Sequence, residues 1–400
     1  MQKILASIKN LFKKELMLSV SLLAALVSLF ITPPSAELLG DINWRTLATL
    51  FMLLSVLEGF KSENIFDPIL RRAERISSIK LLTVFLVFGV FFTSMFVTND
   101  VSLIIFVPLT IMLFRAGGNE RFILPVLTFE NIAAIRGSLL TPFGSPQNLF
   151  LYAKSGISTP EFLLMMLPLW IFSAGLLLIF ILILYRKVHR LAQIDTDCKK
   201  NFDDEEILKR VQNDRKSSSE TQSARKIMYL ALFVIVVSSI VTRTRFYPIV
   251  LALVFVTLLI GDRKILFKTD YVLLLTFLCF FTFSSSICRH PAISEFLKNS
   301  VAGHEYIWSI LLSQVISNVP ASIVLYPFSE NLRALLYGLD SAGLCSIIGS
   351  LASVINLRIY TREYPGKSFA FIKTFTWISL AFFAVVVLPQ LALIQILPPQ

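Results

Sequence analysis

Long apolar segments alternate with short polar ones along the chain, and this pattern predicts a protein that crosses a membrane many times. A helix needs roughly 20 apolar residues to span a hydrocarbon core of about 30 Å. The 400 residues are 55% hydrophobic and only 16% charged, which is typical of this class. We place the apolar segments at 16–33, 43–60, 81–114, 122–152, 161–184, 227–243, 247–261, 269–287, 306–328, 338–358 and 374–396.

Two of these segments contain the same polar pattern. FVTNDVSLIIFVPL in the first half and VISNVPASIVLYPF in the second agree in character at most positions. Each has a hydroxyl residue before an asparagine, Thr98-Asn99 or Ser317-Asn318, and a proline nine residues after that asparagine. Polar side chains are costly in hydrocarbon unless they line a cavity or bind a ligand. The duplicated pattern therefore predicts an internal repeat with a polar site at its centre.

A second polar interruption follows each motif. The stretch GSLLTPFGSPQNLFLY has two prolines and two glycines within an apolar segment, so an interrupted helix is predicted. The stretch SAGLCSIIGSLASVINLRIY places Gly349-Ser350 where the first copy has Gly144-Ser145, although it lacks prolines. Helix packing through small residues is an alternative explanation for this second stretch.

The distribution of lysine and arginine predicts the orientation. If the amino terminus is cytoplasmic, and if 81–114 and 306–328 return to the side that they entered, cytoplasmic segments hold 29 of the 37 Lys and Arg and outer segments hold 7. This asymmetry follows the positive-inside rule. The net charge of +11 therefore predicts topology in a cytoplasmic (inner) membrane rather than nucleic-acid binding. The carboxyl terminus is expected outside.

The segments form two similar units. We expect hairpins at 81–114 and 306–328 and interrupted helices at 122–152 and 338–358. One unpaired crossing between the units turns the second upside down, so we predict an all-α fold of two inverted repeats, with about nine spanning helices and two re-entrant hairpins. The predicted boundaries are repeat 1 at 16–184, a cytoplasmic linker at 185–226, an extra helix at 227–243 and repeat 2 at 247–396.

Three charged residues lie in apolar surroundings. Asp100 adjoins the first motif, and Val319 stands at the corresponding place in the second. An intramembrane carboxylate of this kind could ligate Na⁺ or carry a proton. Glu130 and Arg136 are six residues apart. They could be an anion-binding arginine with its partner, a structural pair, or residues nearer to an interface.

The sequence contains no motif of an enzyme or of a cofactor site. The four cysteines and three histidines show no metal-ligand spacing. There is no HExxH, no phosphate-binding glycine loop and no nucleophile elbow. We therefore predict a protein that is not an enzyme and that has no cofactor, apart from Na⁺ as a possible coupling ion.

Four stretches together resemble the ion transporter superfamily, which contains citrate-type and divalent-anion:sodium symporters, arsenite permeases and one class of sodium/proton antiporters. These stretches are SMFVTNDVSLIIFVPL, LLTPFGSPQNLFLY, SQVISNVPASIVLYPF and GLCSIIGSLASVINLRIY. The resemblance extends from about residue 40 to residue 390. It implies inverted repeats arranged as a scaffold and a transport domain, usually in a dimer.

Carried over by position, the resemblance implies two half-sites that meet near the middle of the membrane. Val319 stands in the second copy where the first has Asp100, so the two half-sites differ at this position. The substrate-binding candidates are Thr98, Asn99, Ser145, Pro146, Asn148, Ser317 and Asn318, together with the charged Arg136. The cation-binding candidates are Asn99, Asp100, Gly144, Asn318, Gly349 and Ser350.

The function expected from the residues and the resemblance is secondary active transport of a small anion by alternating access. The substrate class is a di- or tricarboxylate such as citrate, with Na⁺ or H⁺ coupling. Arsenite or oxyanion efflux, cation/proton antiport, and a receptor or scaffold that has lost transport are the alternatives. The expected partners are the anion, a coupling cation, the lipid bilayer and a second copy in a homodimer.

Overall fold

The computed structural model describes residues 16–33, 36–192 and 220–396, and every regular element within these ranges is helical. Seven helices in the described part of the chain are long and apolar enough to cross a membrane, judged by length and composition. The predicted all-α polytopic class is confirmed. We number the α-helices in chain order and leave the short 3-10 turns unnumbered.

The described residues up to 192 contain two apolar helices, a hairpin, an interrupted helix and one long helix. Two short helices that the apolar pattern did not predict, α2 and α4, connect them. The bounds are α1 Leu16–Ile31, α2 Ala36–Asp41, α3 Trp44–Ser62, α4 Asp67–Ala73, α5 Ile79–Val97, α6 Asn99–Ala116, α7 Ile123–Gly137, α8 Pro146–Ser155 and α9 Thr159–Ala192.

The described residues from 220 repeat the order of hairpin, interrupted helix and long helix. The short helices α12 and α14 in this half were not predicted either. The bounds are α10 Glu220–Val241, α11 Tyr247–Gly261, α12 Arg263–Lys268, α13 Tyr271–Arg289, α14 Pro291–Val301, α15 Glu305–Ile316, α16 Asn318–Leu325, α17 Leu332–Cys345, α18 Leu351–Glu363 and α19 Ser368–Ile396.

Helices extend into both ends of the predicted linker at 185–226. Helix α9 continues to Ala192, and α10 begins at Glu220. Backbone hydrogen bonding continues past the apolar residues because Lys, Arg, Glu and Gln are good helix formers. The middle of the predicted linker, 193–219, lies outside the described residues.

Both predicted hairpins fold back on themselves. In the first, Gly89 of α5 lies directly against the ring of Phe106 in α6, so the two arms run antiparallel. In the second, the carboxylate of Glu305, at the start of α15, accepts hydrogen bonds from the backbone N–H groups of Glu330 (3.0 Å) and Asn331 (3.2 Å). The first hairpin is deeper, with arms of 19 and 18 residues against 12 and 8 in the second.

Two groups of helices build the molecule. The hairpin group comprises α5–α9 and α15–α19, and the flanking group comprises α1, α3 and α10–α13. Within the hairpin group the repeats exchange partners, since α6 packs on α18 and α16 packs on α8. Helix α9 packs on α7 of its own repeat, and α19 packs both on α17 of its own repeat and on α7 of the other. Each hairpin is therefore held by the interrupted helix of the other repeat as well as by its own.

Candidate functional site

The two hairpin tips have the same backbone conformation. Thr98, between α5 and α6, has φ 72° and ψ 155°, and Ser317, between α15 and α16, has φ 69° and ψ 159°. This region is essentially restricted to glycine, and other residues there are strained by about 1–3 kcal/mol. Such strain concentrates at functional sites. The shared conformation supports the internal repeat that the two motifs predicted.

Each tip is bonded to the break in the interrupted helix of its own repeat. The N–H of Asn99 donates to the carbonyl of Gly144 at 3.2 Å, and the N–H of Asn318 donates to the carbonyl of Gly349 at 3.2 Å. Gly349 therefore occupies the place of Gly144, as the sequence comparison proposed. The second break forms without prolines, because Ser346 adopts an extended conformation directly after α17.

Both break positions require glycine. A Cβ atom on Gly144 would lie 2.2 Å from the carbonyl oxygen of Ser138, and one on Gly349 would lie 2.1 Å from the carbonyl oxygen of Ala342. Any side chain would push the break away from the preceding helix, and the hairpin tip bonded to it would move too. The glycines thus set the position of both tips.

The polar side chains around the breaks are buried and keep unused hydrogen-bonding atoms. The side-chain amide groups of Asn148 and Asn318 donate to the carbonyls of Leu139 (3.5 Å) and Leu339 (3.4 Å). Among the described residues, Oδ1 of Asn148 and Oγ of Ser317 have no hydrogen-bond partner. These atoms are available to a ligand.

The first half-site opens into a cavity of about 380 Å³ between the hairpin group and the flanking group. This volume is within the range of small-molecule sites. Thr98, Asp100, Ser145 and Pro146 line it from the hairpin group. The flanking group contributes apolar residues and four charged ones, namely Glu58, Lys61, Lys268 and Asp270.

The second half-site does not reach this cavity. Ser317, Asn318, Gly349 and Ser350 are buried and are not among its lining residues, although Leu351 and Ile355 of α18 are. Asn99, Gly144 and Asn148 also lie behind the cavity wall. The structure therefore brings each tip together with its own break but exposes only the first half-site.

A second cavity, of about 460 Å³, lies at the other ends of the same helices. The first cavity is lined by the starts of α8 and α13, and the second by their ends, including Lys154 and Arg289. Arg289 forms a 2.6 Å ion pair with Asp41. The hydrogen bond from Ser285 lowers the pKa of the Asp41 carboxyl, and the ion pair with Arg289 lowers it further by a smaller amount. The half-sites thus lie between two cavities that open at opposite ends.

Arg136 lies in a buried polar network and not in the cavity wall. Its Nε donates to Oγ of Ser173 in α9 at 3.1 Å, and its Nη1 donates to Oγ of Ser341 in α17 at 3.4 Å. Ser341 is in turn bonded to Gln390 of α19, whose Nε2 donates to Ser341 Oγ at 2.6 Å. The network links the long helices of both repeats to the interrupted helices that they cover.

Sequence reasoning missed Asp340. This buried carboxylate accepts a 3.2 Å hydrogen bond from Gln147, directly beyond the first break, and it attracts the charge of Arg136. Arg136 is eight residues before Gly144 and Asp340 is nine before Gly349. Aligning the two breaks would have placed these opposite charges at nearly equivalent positions.

Two inverted repeats, each with a hairpin tip bonded to a broken helix, beside a polar cavity inside a multi-pass membrane protein, define a membrane transporter. The chain belongs to the citrate transporter family, whose sequence model matches residues 8–349. It therefore falls within the superfamily that the motifs resemble.

Two named relatives are similar over most of their length. An uncharacterized transporter, MJ0456 of Methanocaldococcus jannaschii, is 30% identical over 331 residues, which are 81% of this chain and 83% of that protein. The inner membrane protein YbiR of Escherichia coli is 30% identical over 323 residues, 80% of each chain.

A solved structure has a similar fold. The YdaH transporter of Alcanivorax borkumensis, described as having an unusual topology, matches with a TM-score of 0.53 over 94% of this chain and 96% of that one. Because the identity is 14%, this likeness bears on the fold alone.

Proposed function

We propose that the protein is a secondary active transporter of a small anion, a di- or tricarboxylate of the citrate type, driven by Na⁺ or H⁺. The observation that carries the proposal is the pair of strained tips, each hydrogen-bonded to the glycine of its own break, with one of them open to a cavity. The family to which the chain belongs supports the substrate class.

The first half-site suits a carboxylate. Helix α6 begins at Asn99 and α8 begins at Pro146, so two helix amino termini meet at the cavity. The hydroxyls of Thr98 and Ser145 lie beside them. Helix amino termini attract anions, and hydroxyl groups donate hydrogen bonds to them.

Asp100 gives a physical reason for coupling. It lies in the first turn of α6 and lines the same cavity. Its negative charge repels an anion there unless Na⁺ or a proton neutralises it. Behind the cavity wall, Oδ1 of Asn99 and the Gly144 carbonyl would supply further oxygen atoms to a bound cation. In the second half-site Val319 replaces the acid, so Asn318, Gly349 and Ser350 would hold a cation more weakly there.

The proposed orientation makes this an inward-facing state. The positive-inside pattern places Lys61 and Lys268, and with them the 380 Å³ cavity, on the cytoplasmic side. The hairpin group would then move against the flanking group to open the half-sites to the second cavity. We further propose the inner membrane as the location and a homodimer as the assembly.

A transport screen in proteoliposomes tests the proposal. Purified protein is offered labelled citrate, succinate, sulfate or arsenite, under imposed Na⁺ or H⁺ gradients. We expect gradient-driven uptake of a carboxylate that Asn99→Ala and Asn318→Ala abolish. Movement of arsenite or sulfate alone, or of Na⁺ against H⁺, would replace the substrate assignment, and no movement at all would reject transport.

Asp100→Asn is the matched variant for coupling. It keeps the shape of the side chain and removes the charge that repels the anion. We expect it to bind the carboxylate without the cation gradient while losing gradient-driven accumulation. If Asp100→Asn accumulates substrate as well as the unaltered protein does, Asp100 is not the coupling residue.

A further inference from the structure

A second polar cluster lies inside the hairpin group, away from both half-sites. Helices α6, α7 and α18 pack against one another pairwise. Where they meet, Glu130 and Asn131 of α7 and Asn356 of α18 are fully buried, each with 0% exposure. None of the three lines the 380 Å³ cavity. We propose that these residues form a separate binding site for a monovalent metal cation such as Na⁺.

The cluster has more acceptor atoms than donors. Glu130 accepts one hydrogen bond, at Oε1, from the hydroxyl of Thr110 in α6. Its Oε2 has no partner among the described residues, and neither has Oδ1 of Asn131 or of Asn356. A buried polar atom without a partner costs the free energy of its lost hydration, and a charged one costs more. Three unpartnered oxygens in the region where α6, α7 and α18 pack together therefore indicate a ligand that is positively charged.

The orientation of the Asn356 amide follows from its neighbour. Nδ2 of Asn356 donates to the carbonyl of Leu127 at 2.8 Å, and a carbonyl can only accept. If Nδ2 and Oδ1 of Asn356 were exchanged, two acceptor oxygens would face each other. Oδ1 of Asn356 is therefore the atom without a partner. Nδ2 of Asn131 contacts Oγ of Ser353 in α18 at 3.0 Å. The two contacts place Asn131 and Asn356 in the α7–α18 interface.

The fold does not require polar residues at these three positions. If the repeats are aligned on Gly144 and Gly349, the counterparts of the three residues are all leucine. These leucines are as deeply buried as the polar residues that they match, at 0% exposure. The equivalent interface is thus well formed by apolar packing alone. The three pairs are Glu130 with Leu335, Asn131 with Leu336, and Asn356 with Leu151.

The chemistry selects a monovalent metal cation. A proton on Glu130 could donate to only one other oxygen, and a neutral water to two at most. A cation can coordinate all three, and carboxylate and amide oxygens suit hard cations. One carboxylate neutralises one positive charge, whereas a divalent ion would leave a buried net charge. No group of three or more His, Cys, Asp or Glu residues suited to a transition metal occurs among the described residues.

A cavity lies along the same two helices as part of the cluster. A cavity of about 590 Å³ lies between α6 and α18 and is lined by Pro108, Ile111 and Ile359, close in sequence to Thr110 and Asn356. In the proposed orientation it opens to the cytoplasm. The existence of this cation site does not depend on the proposed function. A role of the site in coupling would depend on that function.

Thermal unfolding of the purified protein in detergent tests the site. The unfolding midpoint is measured with increasing NaCl, while choline chloride keeps the ionic strength constant, at a fixed pH and without substrate. We expect a saturable rise, because a ligand that binds only the folded state stabilises it by mass action. Glu130→Gln and Asn356→Leu should remove that rise, and Asn356→Leu introduces the residue that the other repeat has at this position.

Three controls separate the outcomes. Thr128→Val removes a buried hydroxyl of α7 that is already bonded to the carbonyl of Leu124 at 2.9 Å, so it should keep the Na⁺ effect. Because Na⁺ is also proposed to bind at Asp100, every variant is measured in the Asp100→Asn background, where the rise should persist with Glu130 and Asn356 intact. Asn131→Leu is the second variant if Glu130→Gln does not fold. The site is rejected if no Na⁺ effect remains in the Asp100→Asn background, if the remaining effect survives both Glu130→Gln and Asn356→Leu, or if only MgCl₂ stabilises the protein.

This test does not depend on the transport screen. A failed screen with a Na⁺ effect that depends on Glu130 would reject the proposed function and keep the cation site. Carboxylate transport without such an effect would keep the proposed function and reject the cation site.

Discussion

Thr98 and Ser317 hold a backbone conformation that costs energy in any residue other than glycine. Their side chains must therefore contribute something that glycine cannot. At both positions that contribution is a hydroxyl at a hairpin tip, and at Thr98 it faces the cavity. We interpret the strain as the consequence of keeping a donor at the place where the anion would bind.

Replacing each tip residue by glycine tests this interpretation. Thr98→Gly and Ser317→Gly should raise the free energy of unfolding by about 1 kcal/mol, since relief of about 1–3 kcal/mol outweighs the extra chain entropy of roughly 0.5–1 kcal/mol. Transport should fall because the hydroxyl is lost. Thermal unfolding and uptake assays measure the two effects. Thr98→Ala keeps the strain and should not stabilise, and a lower unfolding midpoint for both glycine variants would contradict the interpretation.

The break glycines allow a sharper prediction. Gly144→Ala and Gly349→Ala each place a Cβ atom about 2 Å from a carbonyl oxygen, so both should lose stability by about 1–3 kcal/mol and lose transport. Gly175→Ala in α9, where nothing lies within 4 Å of the added Cβ, is the matched control and should be tolerated. The measurement is the uptake of substrate per amount of folded protein, with folding checked by gel filtration. A fully active Gly349→Ala would show that the second break is not the counterpart of the first.

At the scale of elements, the interrupted helices are joined across the repeats by buried hydrogen bonds from Gln147 to Asp340 and from Arg136 to Ser341. Arg136 in α7 and Asp340 in α17 attract each other inside a buried network, and Gln147 of α8 bonds to Asp340. Nη2 of Arg136 and Oδ2 of Asp340 have no partner among the described residues. We interpret both as positioning residues that keep the two breaks aligned.

A double-variant experiment tests this element-scale link. Arg136→Gln or Asp340→Asn alone leaves one buried charge uncompensated and should cost roughly 3–5 kcal/mol. The double variant should be more stable than either single variant. If the pair also positions the site, the apparent KM for the anion should shift in the single variants that fold and return in the double variant. Additive losses of stability would contradict the pairing, and an unchanged KM would limit the pair to a structural role.

Helix bounds followed the apolar pattern closely where packing and hydrophobicity agree, as in α11, predicted at 247–261 and observed at Tyr247–Gly261. They departed from it where polar residues continue a helix, as in α9, or where a short surface helix lacks an apolar run, as in α14. Hydrogen bonding within the backbone decides those ends, and hydropathy does not record it.

At the scale of the whole molecule, the two cavities predict labelling from opposite sides. In a background without native cysteines, Leu273→Cys at the 380 Å³ cavity should react with a membrane-impermeant thiol reagent from the cytoplasmic side. Lys154→Cys at the 460 Å³ cavity should react from the outer side. Inside-out and right-side-out vesicles provide the comparison. Labelling of both positions from one side would contradict the proposed topology.

The sequence by itself determined the membrane class, the two repeats and the residues of both tips. Hydropathy follows directly from composition along the chain, and Thr98-Asn99 and Ser317-Asn318 are local patterns in apolar surroundings. Gly349 was identified by its spacing even without the prolines that mark the first break. Each of these signals lies within a short stretch of chain.

Only the tertiary structure decided which polar residues meet. It separated Arg136 from the cavity, joined it to the network of Asp340 and Gln390, and left the second half-site enclosed. It also brought Asn356 of α18 to the Leu127 carbonyl of α7, two residues that are more than 200 positions apart. Contacts of this kind depend on how helices of different repeats pack, and no local pattern in the sequence specifies that packing.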